Sequence, residues 1–469
     1  MKKLFYILTL GLTLSLAACA PSEVDDIFDE SPAVRLDKAI KNYTELLKSN
    51  GGRWNMKYFA NGDEGGYNFM MLFKNGSVEI SGKNAYLELV YGSSFMKVES
   101  LWEVVADYGP VLTFNTYNEV FHLFSDPDPD GTGLGGDYEF IIMEASEDRI
   151  VLRGKKTGIT AVMDRITDNV ADEEFFAEVD ALQSASFSSL VDTLYVTTST
   201  GYQFATIGHY EEVWTFFPAA GNRADNLIDY PESMNSMCTR NGIRFMEPLN
   251  FFTEYDPEAF VPQEFTVQED GSLLAEDGVT RITAGPLVRW FANGRRNFLI
   301  NKDDMGGTFK TQYDTFLTET KAADPRHRTI TNVGFTYYNI YNAEYFGHFA
   351  LTFKASNLVC LIFLDYTVVD DNTLRMSFNP NAAIPYNENG RLYYGGKYID
   401  KNGNEKEDAG YQSVRDFVAF LTSTEYSFKT DNVLCPTIMT IYDKANPANY
   451  YVVNMSKNSN FVEDQGIEY

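Results

Sequence analysis

Apolar positions recur every three to four residues at Leu36, Ile40, Tyr43 and Leu47. Ser31-Pro32 stands in front of them and Gly51 behind, so the chain is predicted to open its folded part with an amphipathic helix. From Trp54 the period falls to two. Alternating runs at Trp54–Tyr58, Tyr67–Phe73 and Ser77–Ile80 predict strands, and Asn75-Gly76 between the last two is the signal of a tight hairpin. Further strands are predicted at Val111–Tyr117, Val120–Ser125, Asp137–Ala145, Arg149–Lys155 and Ala161–Ile166, spaced as in a meander. One helix and about eight short antiparallel strands make residues 31–166 an N-terminal barrel or sandwich domain. Phe175, Phe176, Val179 and Leu182 share one side of a helix, placed here in a linker over 167–189. Residues 190–469 then read as a larger β-rich domain with helices near Phe309–Lys321 and Ser413–Thr422, so the fold class is mainly β, a β-rich α+β protein. The pattern Gly66, Phe69-x-x-x-Phe73-Lys74 returns as Gly347, Phe349-x-x-x-Phe353-Lys354, as a duplication or strand composition alone would produce.

The first 30 residues follow neither period. Lys2-Lys3 precede an apolar run from Leu4 to Leu16 of about 13 residues, too short for a membrane span of about 20 and right for an export signal. Leu16-Ala17-Ala18-Cys19 closes the run and resembles the bacterial lipobox. The resemblance implies removal of residues 1–18 and a diacylated Cys19 as the membrane anchor. Residues 19–30 form an acidic tether, Ala20-Pro21-Ser22-Glu23-Val24-Asp25-Asp26-Ile27-Phe28-Asp29-Glu30 following Cys19, with little to bury. Acid residues just behind a lipidated cysteine resemble the surface-export signal of Bacteroidota lipoproteins, which implies the exterior face of the outer membrane; the plainer reading is a solvated linker.

Charge narrows the partners. With 38 Lys and Arg against 66 Asp and Glu the net charge is −28, and loss of Lys2 and Lys3 with the leader makes the mature chain more acidic still. Nucleic acid finds no basic patch on which to release counterions, and an anionic bilayer repels such a surface, so the lipid must do the anchoring. Cys238, Cys360 and Cys435 remain after Cys19, an odd number with no metal spacing, and no disulfide framework is implied.

Four stretches carry a family resemblance: Asp26-Ile27-Phe28-Asp29-Glu30-Ser31-Pro32-Ala33, Gly66-Tyr67-Asn68-Phe69, Gly109 through Asn118, and Gly136-Asp137-Tyr138-Glu139-Phe140 with Gly154-Lys155-Lys156-Thr157-Gly158. In these the chain resembles the Bacteroidota lipoprotein family of unknown function numbered 4302, best over residues 26–166. The resemblance implies no catalytic motif. It implies a context beside SusC/SusD-type importers and other surface lipoproteins, often with a zinc metallopeptidase.

Candidate chemistry is sparse. Asp126, Asp128 and Asp130, with Gly131 and then Asp137, match the ligand spacing of a calcium loop, the only cofactor the chain suggests; a rigid hairpin loop explains the same residues. His122, His209, His327 and His348 are scattered and fall in no metal pattern, and there is no GxSxG. Glu139 and Asp365 are the acids placed to be partly buried. Aromatics make up 15% of the chain, and the clusters Tyr337-Tyr338 with Tyr341 and Tyr345, and Tyr393-Tyr394, are the expected binding faces for sugar rings or extended peptide. The expected function is capture of a peptide or glycan as an accessory of an outer-membrane, TonB-dependent nutrient importer. A surface hydrolase with a carboxylate dyad, or a scaffold for other lipoproteins, stands as the alternative.

Overall fold

A computed structural model of the chain describes residues 30–454 apart from 61–64, 108, 127–132, 187–192, 208–211, 219–231, 286, 289–290, 292–296, 339–347, 357, 380–395, 400–401, 403 and 435. It divides into two compact units, Met1–Asn61 with Asn68–Asn169, and Gly62–Tyr67 with Val170–Tyr469.

The first unit opens with α1 (Pro32–Lys48). Ser31 caps it, its hydroxyl accepting from Val34 N at 3.4 Å, and Pro32 sits in the first turn where no amide partner is missed. The chain leaves the helix through Asn50 and Gly52, both with positive φ. Eight antiparallel strands then close into a barrel in sequence order: β1 (Arg53–Tyr58), β2 (Tyr67–Phe73), β3 (Ser77–Lys83), β4 (Phe95–Ala106), β5 (Pro110–Phe114), β6 (Glu139–Ala145), β7 (Arg149–Gly154) and β8 (Thr160–Arg165). β1 closes on β8 with Trp54 opposite Arg165, so no strand edge is left open in this barrel. A short helix α2 (Ala85–Tyr91), capped by Asn84 and ended by Gly92 at φ 77°, interrupts the meander.

Alternate residues fill the barrel: Trp54, Met56 and Tyr58 from β1, Phe69 and Phe73 from β2, Phe114 from β5 and Phe140 from β6 are all buried. Arg165 stands where the barrel meets α1. Its guanidinium lies 4.0 Å over the Trp54 ring and donates to the carbonyls of Ser49 (2.7 Å), Leu46 (3.2 Å) and Glu147. It therefore adds a charged donor to the carbonyls at the end of α1 and ties helix to barrel.

The expected strand Val120–Ser125 is absent. Asn118, fully buried, accepts from Val120 N and Phe121 N and donates to Val98 O and Ser100 Oγ, which turns the chain into a single 3₁₀ turn at His122–Phe124. The apolar alternation there was misleading because Phe121 and Phe124, three apart, share the inward side of that turn. Phe121 packs against Tyr58, Phe69, Phe114 and Phe140, and Phe124 against Phe69, so the β5–β6 connection plugs the barrel with aromatic rings.

The second unit starts with α3 (Asp172–Ser186), which buries Phe175, Phe176 and Val179. The stretch read as one β-rich domain contains two closed eight-stranded barrels. One runs β9 (Thr193–Thr197), β10 (Gln203–Ile207), β11 (Val213–Pro218), β12 (Glu232–Cys238), β13 (Gly242–Phe245), β14 (Glu264–Val267), β15 (Leu273–Ala275) and β16 (Arg281–Ala284), with the one-turn α4 (Phe252–Tyr255) between β13 and β14. The other is built from β17 (Asn297–Gly306), β18 (Ile330–Tyr338), β19 (His348–Ala355), β20 (Leu358–Asp370), β21 (Thr373–Phe378), β24 (Glu425–Thr430), β25 (Ile438–Asp443) and β26 (Tyr450–Asn454), and a separate hairpin joins β22 (Gly396–Ile399) to β23 (Glu405–Asp408). Two helices, α5 (Gly307–Ala323) and α6 (Gln412–Leu421), pack together on this core: Phe316 stacks on Phe417 at 4.6 Å and Thr320 meets Ser413 at 2.7 Å. Because β17 pairs with both β18 and β26, the strand after α5 is cyclically the first of its barrel. The repeated Phe-x-x-x-Phe then falls on equivalent strands, β2 and β19, each second after its helix. Among the described residues no helix is long and apolar enough to cross a membrane.

Candidate functional site

Strands β5 and β6 hold between them the connection that plugs the first barrel, and the residues that do not point inward on it form an exposed aromatic cluster. His122 follows Phe121 and so turns away from the core. Its ring lies between Tyr117 (centroids 5.4 Å apart) and Tyr138 (5.2 Å, planes 24° apart). Burial lowers the His122 pKa, and Nδ1 accepts from Asn118 N at 3.1 Å. With Nδ1 held by the backbone and the ring stacked on both sides, this histidine acts as a spacer between two tyrosines.

Those tyrosines are open to solvent, Tyr117 at 51% and Tyr138 at 45%. The Tyr117 hydroxyl donates to Asp126 Oδ2 at 2.5 Å and lies 3.3 Å from the Tyr91 hydroxyl at the end of α2. Desolvation and the bond to Asp126 push its pKa upward. Leu89 and Val90, also exposed on α2, extend the apolar surface past Tyr91.

Tyr138 borders a pocket of about 280 Å³ whose other walls are Ser125, Gly136, Asp137, Glu139, Lys155 and Lys156. One residue fixes its shape. Asp137, buried at 3% exposure, accepts from Lys156 N (2.7 Å) with Oδ1 and from Thr157 N (3.1 Å) and the Thr157 hydroxyl with Oδ2. Its own amide donates to the Tyr58 hydroxyl at 2.6 Å, and that buried phenol has its pKa raised by desolvation. The β7–β8 turn carrying both lysines is thus clamped to the end of β6. Gly154 makes room for the clamp, since a Cβ there would run into the Asp137 carboxylate. Lys155 bridges Asp107 (2.5 Å) and Glu139 (3.1 Å), bonds that raise its pKa.

The sequence-derived candidates fare unevenly. Asp126 and Asp137 are both described: Asp126 Oδ2 accepts from Tyr117, and both Asp137 oxygens accept from the β7–β8 turn; Asp128, Asp130 and Cys19 lie outside the described residues. Among the described residues no group of three or more His, Cys, Asp or Glu is arranged to hold a metal ion. Tyr337 and Tyr338 end β18 opposite Phe349 and His348, with their side chains outside the described residues, as are Tyr341, Tyr345, Tyr393 and Tyr394 entirely. Glu139 is half-buried as expected; Asp365 is exposed and accepts from Asn379 at 2.9 Å. Tyr91, Tyr117 and Tyr138 were passed over as binding residues because each stands singly, Tyr117 and Tyr138 being read as ordinary members of the predicted strands Val111–Tyr117 and Asp137–Ala145. The readable clue was Tyr138 two residues behind Gly135-Gly136, an aromatic at the mouth of a glycine-rich loop.

The profile of a family described as Domain of unknown function (DUF4302) matches residues 24–261, half of the chain. The chain belongs to this family. The match contains the whole first barrel, and therefore the aromatic cluster and its pocket. No curated protein matches the chain. Among solved structures it is similar to the β sliding clamp of C. crescentus, crystallised with polyethylene glycol, at 11% identity over 90% of this chain and 96% of that one, with a TM-score of 0.11 that supports no argument.

Proposed function

We propose that the protein is a lipid-anchored capture component at the outer face of the outer membrane, serving a SusC/SusD-type nutrient importer and holding its ligand at the Tyr117–His122–Tyr138 cluster. The observation that carries this reading is the cluster itself. Two tyrosines left about half exposed, rigidly spaced by a histidine and bordered by a pocket with both donors and acceptors, offer a preformed surface whose rings are not needed to fill the core. Preformed aromatic surface loses little entropy on binding, which suits a protein that must hold a passing solute. The lipobox at Cys19 and the acidic tether support the address, because a chain this acidic has no electrostatic attraction to a bilayer and needs its lipid to remain there.

The test is purification of the native complex from outer membranes in mild detergent. Recovery with a large membrane β-barrel partner supports the reading. Recovery of the protein alone, with no affinity for either glycan or peptide mixtures, contradicts it.

A further inference from the structure

The aromatic cluster and its pocket also bear on what is captured. Resting on the capture reading above, we infer that the ligand is a neutral glycan, with one pyranose ring seated in the pocket beside Tyr138 and further units running over Tyr138 and Tyr117. Three observations lead there.

Extended peptides are most simply held by adding a strand to an open sheet edge, where the main chain supplies the affinity. The barrel that carries the cluster is closed, with β1 paired to β8 and every strand paired on both sides. It offers no such edge.

The pocket wall presents donors and acceptors side by side. The Lys155 amine already lies between the Asp107 and Glu139 carboxylates, so its charge is matched, while the Glu139 carboxylate and the Ser125 hydroxyl line the same space. Vicinal sugar hydroxyls donate and accept at once and fit such a row; a ligand carboxylate would have to compete with two resident ones for Lys155.

Size and surface agree. At about 280 Å³ the pocket falls just below the roughly 300–1,000 Å³ of sites for drug-sized ligands, and has room for a single ring unit. The exposed tyrosines next to it supply flat apolar faces for the C–H side of neighbouring rings.

The experiment is titration calorimetry on the full mature chain in detergent, with short malto-, cello-, xylo- and manno-oligosaccharides, the corresponding uronic-acid oligomers, and a tryptic casein digest as probes. Binding of at least one neutral series is expected, weakened about tenfold or more by Tyr138→Ala, weakened by Glu139→Gln and retained by Tyr138→Phe. Tyr138→Ala and Tyr138→Phe are first compared with the wild type by near-ultraviolet circular dichroism, so that loss of fold is not mistaken for loss of site. Preference for the uronic-acid series, or glycan binding indifferent to Tyr138→Ala, overturns the inference. Casein peptides bound in a Tyr138-dependent way overturn it too, yet leave the capture reading standing. Binding of neither class overturns both.

Discussion

Asp137→Ala removes the clamp that sets the pocket, and its cost can be worked from the contacts. The substitution deletes three acceptor bonds, to Lys156 N, Thr157 N and the Thr157 hydroxyl, while the main-chain bond from residue 137 to Tyr58 survives. A hydrogen bond to a charged group contributes about 1.5–3 kcal/mol when its loss strands a buried partner. Here Lys156 and Thr157 are exposed, so water replaces the carboxylate and each bond falls to about 1 kcal/mol or less. The turn should therefore open more easily by about 2–3 kcal/mol, equivalent to roughly thirty- to 150-fold faster amide exchange at Lys156 and Thr157. Hydrogen-exchange mass spectrometry on peptides covering residues 150–166 reads this directly, with peptides of β2 and β3 as the internal control. The same variant should lose ligand affinity without losing the barrel. Wild-type exchange at the turn would refute the clamp, and a global rise across all strands would show that Asp137 supports the barrel rather than the pocket.

Arg165→Leu should cost the first barrel about 3 kcal/mol in urea unfolding followed by tryptophan fluorescence, because it removes a charged donor from the carbonyls of Leu46, Ser49 and Glu147 and the cation over the Trp54 indole. Glu212, on a left-handed backbone at φ 67°, has its pKa pushed up to about 7 by burial, against a lowering bond from Gln183. Its native form holds the proton more tightly than the unfolded one, so the stability that Glu212 contributes to the second unit should be fully present below about 4.5 and be lost as pH rises through about 7; Glu212→Gln should flatten that slope in thermal unfolding measured across the range. Cys19→Ser should leave the protein unlipidated and released from membranes in fractionation, and added protease should reach the wild type on intact cells.

How far the chain could be read depended on whether a segment's hydrophobic period was its own. α1 was legible because Ser31-Pro32 and the Leu36-to-Leu47 stripe are local signals, and the β2–β3 hairpin because Asn75-Gly76 admits positive φ, seen as 78° at Gly76. Strand β4 was missed: between the outward Lys97, Glu99, Leu101 and Glu103 the inward positions include the polar Ser100, so only Trp102 and Val104 mark the apolar face strongly. Closure was not legible either, since β1 meets β8 only after more than a hundred residues. The site stood furthest from the sequence. Asp137 reads as a loop acid in front of a strand, and only the returning β7–β8 turn reveals it as a clamp. Tyr117 and Tyr138 become a cluster only because Asn118 folds His122 between them.

Capture at the first barrel is tested most directly by hydrogen-exchange footprinting of the mature chain with and without the nutrient mixture that supports growth of its host. Protection confined to peptides covering residues 115–126 and 133–158, and abolished by Tyr138→Ala, is the expected result. Protection that falls only in the second unit, or none anywhere on the chain, would contradict the account.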